Sequence, residues 1–197
     1  GSSYLAVQET ELPAQTEAFL ERKDPVIFTY VFLREGFYLE TLVEGMQRLA
    51  AKYPNIGLVT AGSLDDNEPA VKTRVMEKIK SAGIRDHFCF AGDLTHDQFV
   101  TALRRSKLYL RTPTSDGECT SVLESLTEKV PVVAAENNNR PPGVVTYQAD
   151  DPDEMCRRVC EVLSDHQKYC DVITVPKAND TVAETAEVLI AAARENQ

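Results

Sequence analysis

Short apolar runs alternate with stripes of helical spacing along most of this chain. Positions 26–32 are an unbroken β-branched and aromatic run, the pattern of a strand covered on both faces. Leu39, Leu42, Val43, Met46, Leu49 and Ala50 then recur as one face of a helix, and Tyr53-Pro54-Asn55 ends it. Positions 56–61 predict a second buried strand, 62–67 a turn-rich loop, and Val71, Val75 and Ile79 the next helix. A third strand at 88–90 stops at Ala91-Gly92. Thr95-His96-Asp97-Gln98 has the spacing of a capping box and opens a helix carrying Phe99, Val100 and Leu103.

The second half repeats the alternation. Positions 109–112 close an apolar strand, 113–117 break it, 121–129 are helical, and 130–135 form another buried strand. The polar stretch 136–143, with two prolines, reads as an exposed loop before a sixth strand at 144–147. Asp151-Pro152-Asp153-Glu154 is a helix start: a cap, a proline in the first turn, and acids at the positive end of the dipole. That helix carries Met155, Val159, Val162 and Leu163; 168–177 reads as irregular, and Thr181 to Ala193 as a last helix. Residues 3–24 are acidic and contain a proline, which suggests a linker or arm with a helix at 14–22, so the ordered domain is expected to begin at Asp24-Pro25 and run to 197. Strand alternating with helix predicts an α/β domain of about six parallel strands with helices on both faces.

In such a sheet ligands bind at the carboxyl ends of the strands, and the N–H groups of a helix start suit an anion. The stretch 111–135 supplies both, with a loop tip at Asp116-Gly117 and a short helix in which Glu124 stands among Val122, Leu123 and Leu126. Two readings of these acids stand side by side. Carboxylates at a pocket mouth accept paired hydrogen bonds from adjacent sugar hydroxyls; equally, Asp116 caps a turn and Glu124 is a solvated helix residue.

Charge narrows the choice. A net charge of −10 argues against a duplex nucleic-acid partner, whose affinity comes from neutralised phosphates, but not against a single nucleotide. With 43% hydrophobic and 26% charged residues and no apolar run of membrane length, the chain reads as a soluble domain without a membrane span. Cys89, Cys119, Cys156, Cys160 and Cys170 form no zinc-type pair and fit reduced thiols, which points to the cytoplasm. No metal is expected. Gly1-Ser2 reads as an expression scar on a piece of a longer protein.

Asp116-Gly117, Ser121-Val122-Leu123-Glu124, Pro131-Val132-Val133 and Arg140-Pro141-Pro142-Gly143-Val144, in that order, resemble the donor-binding motif of the group 1 retaining glycosyltransferases, closest to the bacterial polysaccharide-type members. The resemblance covers roughly residues 25–163. It implies a GT-B fold, made of two Rossmann-like domains, of which this chain holds the C-terminal, nucleotide-sugar-binding half. The N-terminal half would bring the acceptor, a glycan or lipid. The donor would be an NDP-sugar, with no further cofactor.

By that resemblance Glu124 binds ribose hydroxyls, Asp116 the hydroxyls of the transferred sugar, and Gly117, Glu118 and Cys119 offer N–H groups to the diphosphate. Gly92 falls where the family's backbone meets the base. Family members carry an Arg and then a Lys after the first strand; here the stretch 30–36 offers only Arg34, followed by Glu35. Arg111 and Arg140 are further phosphate or sugar contacts, or else surface and salt-bridging arginines. His96, in its capping box, reads as a helix-start residue. The departure at Arg34-Glu35 keeps a second reading open, a noncatalytic binding or assembly module of the same fold. A dinucleotide oxidoreductase is disfavoured, since no Gly-x-Gly-x-x-Gly follows the first strand.

Overall fold

The structure is a computed structural model that describes residues 7–63 and 68–175. Six parallel strands, β1 (Val26–Tyr30), β2 (Gly57–Ala61), β3 (Phe88–Gly92), β4 (Leu108–Arg111), β5 (Val132–Ala135) and β6 (Val145–Tyr147), lie in the order β3-β2-β1-β4-β5-β6. Strand side chains alternate between two cores. Ile27, Leu58, Leu108, Leu110 and Val133 face one, with α2 (Leu39–Lys52), α3 (Pro69–Ser81) and α6 (Pro152–Ser164) packed over them. Phe28, Val59, Tyr109, Val132 and Ala134 face the other, under α1 (Ala14–Arg22), α4 (His96–Arg104) and α5 (Thr120–Thr127). Both faces are covered, which is why the strands read as continuous apolar runs.

All six strands being parallel, their carboxyl ends share one edge of the sheet. Strand order reverses between β1 and β4, so the loops that follow those two strands flank the switch point, where open sheets of this kind hold ligands. The first strand ends at Tyr30 rather than at 32. Val31 N–H still bonds Ala61 O (2.9 Å), and the chain then turns, with Arg34 N–H on Phe32 O (2.9 Å). Gly62 makes this crossing possible: at φ +117° its position for a Cβ lies 2.2 Å from Val31 O, so only glycine fits. Gly62 N–H in turn reaches Gly92 O (3.0 Å), which ties the ends of β1, β2 and β3 together at the site edge.

Two expectations change. The stretch read as an arm is packed from Leu12 onward: α1 lies on β2 and β3, Leu12 and Phe19 are buried, and the Phe19 ring rests on Gly57, where a Cβ would come within 2.6 Å of it. The irregular reading of 168–177 gives way, over its first part, to the short helix α7 (His166–Asp171), anchored by His166 Nε2 on Lys107 O (2.6 Å) and continuing to the buried Ile173. The predicted helix from Thr181 lies outside the described residues.

The outer edge of β3 is also occupied. Gln15 Nε2 donates to Phe90 O (3.0 Å) and Arg85 NH1 to Phe88 O (2.8 Å), so two of its carbonyls are taken by side chains.

If α1 is part of the core, Phe19→Ala lowers the stability of the whole domain by about 3–5 kcal/mol, the usual range for a buried phenylalanine. Urea denaturation followed by circular dichroism measures this; a change within experimental error would return α1 to the status of an arm.

Candidate functional site

The strand β4 ends in Arg111, whose side chain is 9% exposed. Its charge is met there by two hydrogen bonds and a ring contact. Nε donates to Asp116 Oδ2 (2.7 Å), NH1 donates to Tyr30 O (2.7 Å), and the guanidinium lies 5.6 Å from the Phe37 ring centre. One cation thus joins the end of β4, the loop after it, the end of β1 and the loop after that. Arg140, at 3% side-chain exposure, arrives from the loop after β5 and sets NH1 3.1 Å from Asp116 Oδ1, an ion pair without the angle of a directed hydrogen bond. Its Nε and NH2 donate to Ala135 O (2.9 Å) and Pro113 O (2.7 Å). Asn137 completes the arrangement, with Nδ2 on Gly117 O (2.7 Å) and on Asp116 Oδ1 (3.3 Å).

Asp116 therefore faces three donors at 15% exposure. Burial pushes its pKa up, but the Arg111 hydrogen bond and the charges of Arg111 and Arg140 outweigh that and hold the carboxyl below its ordinary value. Arg111, Arg140 and Asn137 thus engage most of the roughly four lone-pair positions of the carboxylate.

Beyond Asp116 the chain passes Gly117 (φ +57°), exposed Glu118 and Cys119, which caps α5 at φ +63°. A positive φ at a residue with a Cβ carries strain of order 1–3 kcal/mol and is found where a loop is over-determined by its surroundings. No side-chain cap covers the start of α5, while Cys119 O already takes the N–H groups of Val122 and Leu123. The Cys119 thiol lies 3.1 Å from Ser121 Oγ, which pairs with Tyr109 OH (2.7 Å); burial pushes that phenol up to about 12, so it stays a neutral hydrogen-bonding group.

Glu124 lies one turn along α5, 30% exposed, and its Oε1 meets His96 Nε2 at 2.7 Å. The capping box is formed as the spacing predicts and makes His96 the first residue of α4. Its contact with Glu124, 28 positions away, has no signature in the sequence. Asn137 is a second residue of the site that the sequence does not single out. Gly92 ends β3 at φ +74° with open space where a Cβ would stand, and its carbonyl is taken by Gly62 N–H.

Arg34 is exposed on the loop after β1, its guanidinium 5.2 Å from the ring centres of both Phe32 and Phe37. Phe37 so lies against Arg34 and Arg111 together, and this ring relates the two loops of the switch point. Glu35 does not neutralise Arg34. Its carboxylate is bound by Arg74 NH2 (2.7 Å) on α3. Of the predicted residues, Arg111, Asp116, Gly117 and Arg140 form one bonded cluster approached by Arg34 through Phe37, Glu124 meets His96 one turn into α5, Glu118 and Cys119 lie on the chain between them, and Gly92 stands at the end of β3.

Two concavities, of about 380 Å³ beside Arg34 and Arg74 and about 420 Å³ between α1 and α3, include neither Asp116 nor Glu124. The acidic site lies outside both, at the strand ends. Among the described residues no three His, Cys, Asp or Glu side chains gather as metal ligands, and no helix is long and apolar enough to cross a membrane.

Because the folded pKa of Asp116 is depressed, its contribution to stability is present above the ordinary carboxylate value and is lost as pH falls through the lower, folded value. Asp116→Asn is expected to cost about 3 kcal/mol at neutral pH by leaving two arginines without their counter-charge. The gap between variant and wild type then narrows as the pH falls below the ordinary carboxylate value of 3.8 and on through the lower, folded value. Urea midpoints across that range test this, and a gap independent of pH would mean that the charge of Asp116 does not hold the loop.

Residues 13–174 match the family Glycosyl transferases group 1. No curated protein matches the sequence. Among solved structures, Alr3699/HepE from Anabaena in complex with UDP and glucose is similar at a TM-score of 0.72 and 16% identity, over 88% of this chain and 50% of that one. The C-terminal domain of the group 1 glycosyl transferase LpcC from Francisella tularensis is similar at 0.67 and 14% identity, over 86% and 92%. An α,α-trehalose-phosphate synthase (UDP-forming) from Burkholderia xenovorans, in complex with glucose-6-phosphate, is similar at 0.67 and 12% identity, over 80% and 40%. The chain spans about half the length of HepE. With six parallel strands in Rossmann-like order and the fold of a GT-B C-terminal domain, the chain belongs to the group 1 glycosyltransferase family.

Proposed function

We propose that this chain is the donor-binding half of a retaining glycosyltransferase that transfers a sugar from an NDP-sugar, in polysaccharide or glycoconjugate synthesis in the cytoplasm. The observation that carries the reading is the grouping at the switch point. An exposed cation, Arg34, shares the Phe37 ring with Arg111, an uncapped helix start follows Cys119, and a part-exposed carboxylate, Glu124, stands one turn behind it. A nucleoside diphosphate matches this sequence of groups: phosphates to the cation and helix start, vicinal hydroxyls to the carboxylate. HepE, of similar fold, is known in complex with UDP and with UDP-glucose, which supports a uridine nucleotide as the first ligand to try.

In this reading Arg34 and the N–H groups around residues 117–119 stabilise the charge that develops on the leaving diphosphate, and Asp116 offers its remaining lone pair to a hydroxyl of the transferred sugar. Arg111 and Arg140 act first by fixing Asp116, with which each is ion-paired. Gly92 supplies backbone to the base. In this reading a second domain, bearing the acceptor, forms the other wall of the site, so the chain by itself binds donor without transferring sugar.

The competing reading, a noncatalytic module, draws on two observations: Arg34 is followed by Glu35 instead of a second cation, and Asp116 is nearly saturated. Binding separates the two. Ligand-observed NMR with UDP, GDP, ADP and NAD is expected to show saturable binding of one nucleoside diphosphate, weakened about 10- to 100-fold by Glu124→Ala, the equivalent of one or two hydrogen bonds to a charged group. Arg34→Ala is expected to weaken the diphosphate to a similar extent while leaving the affinity of the corresponding nucleoside unchanged. No saturable binding by the wild-type chain would favour the assembly module, and a preference for NAD would overturn both.

A further inference from the structure

The contact between His96 and Glu124 has no part in the roles assigned above, and its construction is unusual for a surface pair. His96 is 62% exposed, yet its backbone is fixed. Thr95 Oγ1 accepts from Gln98 N–H (3.3 Å), Gln98 Oε1 accepts from Thr95 N–H (3.1 Å), and Gln98 Nε2 reaches across to Glu11 O (3.1 Å). The ring therefore projects from a braced first turn. Glu124 projects from α5, packed on the same face of the sheet through Val122 and Leu126. A carboxylate only accepts, so the 2.7 Å contact places the proton on Nε2 of the imidazole.

We propose that His96 is a positioning residue of the donor site. It holds Glu124 in one rotamer by occupying a single lone pair of Oε1, and the remaining acceptor positions are left to take the two ribose hydroxyls of a nucleoside diphosphate. This rests on the donor-binding reading above. An unrestrained glutamate on a helix surface samples several rotamers, and binding a ligand would have to select one; a carboxylate already held loses less freedom. The chemistry recognised is the cis-diol of a ribonucleotide, and His96 acts on it only through Glu124. An ordinary exposed His–Glu pair, by contrast, contributes little and would touch no ligand.

The full chain is titrated by ligand-observed NMR with UDP, GDP and ADP and with their 2′,3′-dideoxy counterparts, using wild type, His96→Ala, His96→Gln, Glu124→Ala and the double variant His96→Ala with Glu124→Ala. The expected result is a roughly 2- to 10-fold loss of ribonucleotide affinity in His96→Ala, the scale of one restrained side chain. The dideoxy nucleotide is unaffected, His96→Gln restores the affinity through its amide donor, and the His96 change has no further effect once Glu124 is alanine. The inference is overturned if Glu124→Ala weakens binding and His96→Ala does not, or if ribo- and dideoxynucleotides lose affinity equally. Absence of nucleotide binding by the wild-type chain overturns the donor reading and this inference together.

Discussion

Arg111 is where the strand order turns, and most of the site geometry hangs on how its charge is accommodated. A guanidinium at the end of a central strand cannot remain unpaired, because desolvation of an ion costs several kcal/mol. It is paired with Asp116 on one side and with the carbonyl of Tyr30 on the other. Those two bonds draw the loop after β4 against the end of β1. Arg140 and Asn137 then reach the same carboxylate from the loop after β5. Such an ion pair contributes little net stability over apolar packing of the same shape; what it supplies is a defined position for a loop that has almost no apolar side chains of its own.

That arrangement also explains how an acidic protein can present a face to an anionic ligand. Three of the negative charges near the switch point have partners: Asp116 two arginines, Glu35 Arg74, and Glu124 the His96 N–H. Arg34 is held by aromatic rings, which leave its hydrogen-bond donors directed elsewhere. The overall charge of −10 therefore says little about the potential at the strand ends.

The sheet was legible in the sequence because the central strands are buried on both faces and read as apolar runs, and because the connecting helices keep a regular stripe. α1 was recognised as a helix but not as core. Phe19 sits among acidic and polar neighbours, and what buries it is Gly57, 38 positions away, by having no side chain. The site divides in the same way. Asp116, Glu124 and Arg140 are singled out by the order of motifs along the chain. The pairing of His96 with Glu124 depends on α4 and α5 covering the same sheet face, a consequence of strand order that local patterns do not carry. Asn137 is hidden for a related reason, since one asparagine among three in a row has no distinguishing neighbour until the loop is folded.

The two ends of the sheet have a different consequence. An exposed strand edge is a template on which another chain can add a strand, and repeated addition leads to aggregates. Here the amide of Gln15 and the guanidinium of Arg85 hold the carbonyls of Phe90 and Phe88 at one border, while the other border, β6, is only three residues long. A neighbouring molecule arriving sideways finds little backbone to grip. Self-association through sheet extension is thus discouraged at both borders, and a second body can approach along the strand axes without competing with stacked copies of the same chain.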